Sequence, residues 1–323
     1  MPKVSVIIPT YNGSKYIKTA VSSVLGQTFR DFEIIIVDDY SSDDTSEICE
    51  KMSKENENIR FFRLGENFGS PAKSRNIGLR EAKGDYIFFL DQDDIYFPKN
   101  MDDKVNILDS DPAVDIVIGA SWVFDNEKNK FVEYSTSSLL NWACRKNVFN
   151  DIGVFNENEG AASDIGWSLR YLNLKKSNNG IKYISEPSTI YFKHFDQDSN
   201  IKNVGIDRFI ERLTSVLDNV NNLDQDVLNV PLSSIYERLG DYYCLAGFMK
   251  KGREYFIKSN GDRLNIIPIS LYILSFLGQR FYRYSENIMR GIKSILLRLK
   301  LNKISHIYRE SYNTAINLLI NYK

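Results

Sequence analysis

A chain of 323 residues can hold one large domain and a smaller one, each with a core of its own. Its 41 basic and 42 acidic residues leave a formal charge of -1, which removes the electrostatic case for general nucleic-acid binding and makes any basic patch a local one. Cys49, Cys144 and Cys244 lie far apart with no C-x-x-C pair, so neither a disulfide framework nor a zinc site is indicated, and a reducing, cytoplasmic compartment is expected. No basic stretch followed by a long apolar run opens the chain, and no run reaches the roughly 18 apolar residues of a membrane-spanning helix.

In chain order, Val4 to Ile8 reads as a buried strand. It leads through Pro9-Thr10-Tyr11-Asn12-Gly13-Ser14 into a helix with Ile17, Ala20, Val21, Val24 and Leu25 on one face. Glu33 to Val37 is a second strand ending in Asp38-Asp39, and Ser41, Ser42, Asp43 and Asp44 are candidate N-caps for the helix carrying Ile48, Cys49 and Met52. Ile59 to Arg63 is a third strand. Asn67-Phe68-Gly69-Ser70-Pro71 then opens a helix through Arg75, Asn76 and Leu79, with Pro71 suited to its first turn. Short β-branched runs alternating with helices predict an α/β fold, a parallel sheet covered by helices, with ligands bound at the carboxyl ends of the strands. Asn67 and Gly69 sit where backbone passes close to such a ligand or simply turns into the helix.

The fourth strand ends in the densest chemistry of the chain. Asp85 to Pro98 reads DYIFFLDQDDIYFP, an apolar run that stops at Asp91, Asp93 and Asp94. Three carboxylates in four positions repel and raise one another's pKa unless a cation is supplied. A hard divalent ion that keeps some waters and grips substrate phosphates suits that place. The glycine cradles that otherwise hold phosphates are missing, since only Gly13 follows the first strand and neither G-x-G-x-x-G nor G-x-x-x-x-G-K-[ST] occurs. The bland alternatives are an acidic turn capping the next helix, Asp39 as a helix cap and Tyr11 packed over the sheet edge.

The segment VSVIIPTYNGSKYIKTAVSSVLGQTFRDFEIIIVDDYSSDDT, followed by NFGSPAKSRNIGLREAKGDYIFFLDQDD, resembles the family-2 glycosyltransferases, with weaker similarity after Ala120. The resemblance implies a GT-A fold and an inverting transfer of sugar from a nucleoside-diphosphate sugar, UDP-linked by expectation, to a hydroxyl of a glycan or lipid-linked saccharide. Matched position by position, it implies that Pro9 and Tyr11 contact the base and that Asp39 accepts from the uracil ring N–H. It places Asp91 by the ribose and Asp93 on Mn or Mg, with Asp94 behind it and Arg75 on the nucleotide or the acidic cluster. Lys73 reads as a solvated helix residue.

Beyond Ala120, Trp142-Ala143-Cys144-Arg145 and Gly153-Val154-Phe155-Asn156-Glu157 resemble the family's passage to the acceptor half. The Asp of the family's usual Glu-Asp pair, its catalytic base, falls on Asp164, with Ser163 where Glu is common. Ser188 to His194 reads as a late strand resembling a Tyr-Arg-x-His signature, so that His194 completes the metal shell or touches the diphosphate and Lys193 neutralises it. Residues 1–203 are thus expected to form the glycosyltransferase domain, with 1–120 as the nucleotide-sugar half and 121–203 as the acceptor half. Residues 204–323 are expected to form a helical C-terminal region, with Ser233 to Asp262 similar to one tetratricopeptide-like helix pair. Ile288, Ile292, Ile295, Leu296 and Leu299 make one stripe beside Arg290, Lys293 and Lys300, and Ile266 to Leu277 is apolar but broken by Pro268. Those features suit peripheral contact with the inner face of the cell membrane as well as ordinary packing. Transfer to a polyprenyl phosphate and a catalytically silent nucleotide-sugar-binding module are the competing readings.

Overall fold

The predicted alternation is realised in the first ninety residues. β1 (Val4–Thr10), α1 (Ile17–Leu25), β2 (Phe32–Asp38), α2 (Thr45–Glu55), β3 (Ile59–Arg63), α3 (Pro71–Glu81) and β4 (Tyr86–Phe89) follow one another in a computed structural model. It describes residues 1–135, 139–176, 179–194, 205–220, 225–260 and 309–321. β1 and β2 are buried along their whole length, which is why they carry unbroken Val and Ile runs rather than an alternating pattern. The four strands pair in parallel in the order β3-β2-β1-β4, with Thr10 opposite Asp38 and Asp38 opposite Arg63. The loops leaving β1, β2, β3 and β4 therefore emerge at one edge.

The sheet continues with mixed polarity through β5 (Ile95–Tyr96), α4 (Asn100–Ser110), β6 (Ile116–Asp125), β7 (Lys130–Ser135), β8 (Trp142–Arg145), α5 (Val148–Ile152) and β9 (Ile181–Lys193). β8 joins β4 to β6 by antiparallel ladders, and β9 runs parallel to β6. Antiparallel pairing of Ile95 with Ile190 then brings the acidic turn after β4 beside the end of β9. One face buries Val4, Val6, Ile8, Ile34, Ile36, Phe88 and Leu90 against Ile17, Val21 and Val24 of α1 and Met101, Val105 and Leu108 of α4. On α3 a Cβ at Gly78 would stand 2.4 Å from Ile7 Cγ2, so this helix comes closer to β1 than any side chain at that position would permit.

The described chain forms two compact units. The first holds the sheet up to Glu157, β9 with His194, and the last helix, α10 (Arg309–Asn321). α10 is fixed there by a hydrogen bond of 2.9 Å from Trp122 Nε1 to Ser311 Oγ, and by Ala315 packed in a cluster with Phe97, Phe124, Phe131 and Ile190. The second unit is helical: a 3-10 stretch ending at Ala162, α6 (Ser163–Lys175), α7 (Ile206–Val220), α8 (Gln225–Ala246) and α9 (Met249–Asn260). Leu169, Leu213, Val216, Leu217, Ile235 and Leu239 form its core. The helix pair resembling a tetratricopeptide unit is present as α8 and α9, packed closely where a Cβ on Gly240 would meet Phe256 at 2.5 Å. Among the described residues no helix is long and apolar enough to cross a membrane, and the apolar stripe expected within 266–300 lies outside them.

Candidate active site

The carboxyl edge of the sheet is tied together by polar side chains. Asn12, in left-handed backbone at φ 48°, receives the Ser42 N–H at 2.9 Å on Oδ1, while its own N–H donates to Ser41 Oγ at 2.9 Å. Gly13 N donates to Thr45 Oγ1 at 2.8 Å, so the loops after β1 and β2 are latched to each other. Asp38 is fully buried and accepts from the Ser41 N–H and from the hydroxyls of Ser41 and Ser46, with Arg63 Nε as an ion-pair partner at 3.7 Å. It is a fastening.

Asp39 takes a different place. Its N–H donates to Thr10 O at 2.8 Å, and its two carboxylate oxygens accept from Phe68 N at 2.9 Å and Gly69 N at 3.0 Å. Burial pushes its carboxyl pKa up, against the pull of those N–H groups. Gly69, at φ 64°, supplies the turn that lets consecutive amides converge on one carboxylate. Pro9 is buried at the end of β1, Tyr11 next to it is 45% exposed, and Phe68 across Asp39 is also 45% exposed. Asp39 is thus bonded on one side to Thr10, the residue before Tyr11, and on the other to Phe68 and Gly69.

The acidic turn after β4 spreads its carboxylates to separate partners, which lessens the repulsion noted in the sequence. Arg75, buried on α3, donates from Nη2 to Asp91 Oδ1 at 2.7 Å. Asp93 Oδ2 lies 2.7 Å from His194 Nε2, within hydrogen-bonding distance, and the imidazole stacks on Tyr16 with centroids 5.0 Å apart. Asp94 is wholly buried and accepts the Phe192 N–H at 2.9 Å. Burial first, then Asp93 and Asp91, hold its carboxyl far above the usual carboxylate range. Gln92, to which the sequence pattern assigns no role, bonds the backbone of Tyr11 in both directions: it accepts from Tyr11 N at 2.9 Å and donates to Tyr11 O at 3.1 Å. A Cβ on Gly13 would fall 2.1 Å from Gln92 Oε1, so that glycine makes room for the clasp.

Whether these residues suit a divalent ion turns on the donor set. Two donors bonded to one octahedral ion at about 2.1 Å lie roughly 3 Å apart, close to the spacing of Asp93 Oδ2 and His194 Nε2. An ion that keeps its waters and takes phosphate oxygens needs no more protein ligands than these, and the donor pair fits one. Among the described residues no group of three or more His, Cys, Asp and Glu side chains is arranged to hold a metal by protein alone.

Pro9, Tyr11, Asp39, Arg75, Asp91, Asp93 and His194 all belong to the first unit, on or beside the carboxyl edge. Asp164 belongs to the second. It sits in the first turn of α6, half-buried, and its Oδ1 accepts from Ile165 N at 2.8 Å. Ser163 before it is fully buried and makes no side-chain cap, because Ala162 is the N-cap. A carboxylate does lie nearby in sequence: Glu159, fully buried, accepts from Asn219 Nδ2 at 2.9 Å and stands 3.9 Å from Arg170 Nη1. Its space exists because residue 166 is glycine, where a Cβ would fall 2.0 Å from Glu159 Oε2.

A parallel sheet extended by mixed strands, with base-sized aromatic residues, an acidic turn and an arginine at its carboxyl edge, defines a nucleotide-binding α/β domain of the GT-A class. The family described as Glycosyl transferase family 2 matches residues 5–170, just over half of the chain. The protein belongs to the family-2 glycosyltransferases. Among curated relatives it is 36% identical over 133 residues to glycosyltransferase GlyG of Streptococcus pneumoniae, covering 41% of this chain and 44% of that one. It is 39% identical over 121 residues to the poly(ribitol-phosphate) beta-N-acetylglucosaminyltransferase TarP of Staphylococcus aureus, covering 37% and 36%. It is 42% identical over 95 residues to the GalNAc(5)-diNAcBac-PP-undecaprenol beta-1,3-glucosyltransferase of Campylobacter jejuni, covering 29% and 30%. The chain thus spans less than half the length of these relatives. In fold it is similar to S. aureus TarS 1-349 in complex with UDP-GlcNAc, at 21% identity and a TM-score of 0.65, over 90% of this chain and 92% of that one. It is also similar to the mannosyltransferase PcManGT of Pyrobaculum calidifontis in complex with GDP-Man and Mn2+, at 14% identity and a TM-score of 0.54, over 100% and 88%.

Proposed function

We propose that the protein transfers a sugar from a UDP-sugar to a hydroxyl of a glycan or lipid-linked saccharide, with inversion at the anomeric carbon. The observation that carries this reading is the grouping of Asp39, Arg75, Asp91, Asp93 and His194 around one carboxyl edge of a family-2 sheet. Relatives acting on a poly(ribitol-phosphate) and on an undecaprenol-linked saccharide, and a fold neighbour holding UDP-GlcNAc, support the acceptor and donor classes. In this reading the uracil lies against Tyr11, with Asp39 accepting its ring N–H through lone pairs that the loop amides leave over. Asp91, steadied by Arg75, meets the ribose. A divalent ion, Mn or Mg, would be held by Asp93 and His194 and would supply positive charge to the departing diphosphate.

Asp164 takes the proton from the acceptor hydroxyl as that oxygen attacks the anomeric carbon and the bond to the diphosphate breaks. One in-line displacement of this kind inverts the centre. Ser163 favours a second reading, a nucleotide-sugar-binding module without turnover, because its buried hydroxyl can do none of a carboxylate's work. Calorimetry with UDP and Mn, followed by assays of UDP release from UDP-sugars with and without saccharide acceptors, tests both. Binding with acceptor-stimulated release supports transfer, binding without any release supports the silent module, and failure to bind UDP overturns both.

A further inference from the structure

Gln92 sits between Asp91 and Asp93, and its side chain goes to the loop after β1 rather than to either of them. Oε1 accepts from Tyr11 N at 2.9 Å and from the Thr10 hydroxyl, while Nε2 donates to Tyr11 O at 3.1 Å. A backbone N–H can only donate and a carbonyl only accept, so these partners fix which end of the amide is which. The clasp is fitted as well as bonded. Gly13 is not in left-handed backbone, so its own conformation does not call for glycine; a Cβ there would fall 2.1 Å from Oε1 and 2.6 Å from Cδ of Gln92.

The clasp joins two places with different tasks, both within the first unit. On one side, Asn12 and Gly13 latch the loop after β1 to the loop after β2, and Thr10 O takes the Asp39 N–H, so Tyr11 is held with Asp39. On the other side, Asp91 is bonded to Arg75 and Asp93 lies beside His194. We propose that Gln92 is a positioning residue that sets the spacing between the base-binding loop and the acidic turn, so that the two ends of a nucleoside diphosphate are gripped at once. This rests on the nucleotide-binding reading given above. A ligand held at two linked points gains from the second only when the two subsites stand at the span of the ligand. Truncation at position 92 leaves Tyr11 and Asp39 latched together and releases the turn, so the loss falls on ligands that reach both places.

The experiment measures UDP in the presence of Mn by calorimetry, and uridine by its displacement of UDP, on wild type, Gln92→Ala, Gly13→Ala and the double variant of the full chain, each checked by thermal melting. Gln92→Ala should bind UDP about tenfold more weakly while uridine affinity stays within about twofold of wild type. Gly13→Ala should do the same by driving a methyl into the clasp with Gln92 intact, and it decides the matter if Gln92→Ala does not fold. In the double variant the methyl has no amide to displace, so UDP affinity should match that of Gln92→Ala alone. Equal losses for UDP and uridine would make Gln92 a support for Tyr11 only; that result, unchanged UDP affinity, or losses that add in the double variant each overturn the inference. A wild-type protein that binds neither ligand removes the nucleotide-binding reading instead.

Discussion

Lys104 is a costly residue to bury, and the cost can be read out by pH. It is fully buried on α4, donates from Nζ to Asn100 Oδ1 at 2.7 Å and lies 5.9 Å and 5.8 Å from the ring centroids of Phe88 and Tyr96. Burial pulls its pKa down to about 7, against the attraction of Asp103 and Cys144, from 10.5 in the unfolded chain. Between these two values the unfolded chain holds a proton that the folded chain has given up. The burial penalty is therefore fully felt below pH 7 and is relieved as pH rises from 7 towards 10.5.

At pH 7 the folded lysine is half protonated, and two pH units higher it is neutral while the unfolded one still carries its proton. The limiting slope of 1.36 kcal/mol per pH unit then gives a gain of roughly 2 kcal/mol from pH 7 to 9. Lys104→Met keeps the length and removes the titration. The variant should be the more stable protein at pH 7, and its lead over wild type should shrink by about 2 kcal/mol by pH 9. Urea unfolding of both at pH 7, 8 and 9, followed by tryptophan fluorescence, measures the difference, and titrations common to both cancel. If the two stabilities run parallel with pH, Lys104 is not a buried, largely neutral amine and the argument fails.

Three further outcomes follow from the site. Asp93→Asn leaves His194 its hydrogen-bond partner but removes the donor pair's only negative charge, so Mn-dependent tightening of UDP binding should disappear in calorimetry while the melting temperature holds; retained Mn dependence would move the metal elsewhere. Asp164→Asn keeps shape and cannot take a proton, so turnover should fall about 10²- to 10⁴-fold with UDP affinity unchanged, and an equal loss of nucleotide binding would mark the residue as structural. Gly166→Ala drives a methyl into the space of the Glu159 carboxylate and should destabilise the protein by about 1–3 kcal/mol in chemical unfolding, whereas a neutral result would mean that Glu159 moves aside freely.

The frame of the fold was legible because its signals are local. Runs such as VSVII and EIIIV predict buried parallel strands within a residue or two of their observed ends, and carboxylates or amides at those ends mark the functional edge. Partnerships across the edge were not legible. Gln92 binds a backbone 81 residues away and Asn76 one 79 residues away, whereas His194 and Asp93 were put together by the family resemblance alone, and they meet because β5 pairs antiparallel with β9. Nothing in the spacing of a side chain names a partner that sheet order alone brings near, so Asp91, Asp93 and Asp94 read as one acidic cluster and fold into three different attachments, to Arg75, His194 and the Phe192 N–H. Arg75 shows the intermediate case: its type allowed nucleotide or acidic cluster, and from α3 its guanidinium reaches Asp91 in the turn after β4.

Lys104 marks a different limit, since its signal was present and its type concealed it. Met101, Val105 and Leu108 form the buried stripe of α4, and position 104 falls on that stripe, one turn after Met101 and one turn before Leu108. Read by residue type, a lysine on an amphipathic helix belongs in water. Read by position, it must follow the stripe inward, and the helix cannot rotate it out without exposing its three apolar neighbours. Burying those three is worth about 1.5–3 kcal/mol each, a sum that over most of its range exceeds the roughly 5 kcal/mol needed to strip the ammonium of its proton at pH 7. Position therefore outvotes type. The same comparison explains why the lysine adapts by losing charge rather than by leaving, and why the surrounding groups, Asn100 and the faces of Phe88 and Tyr96, suit an amine in either protonation state.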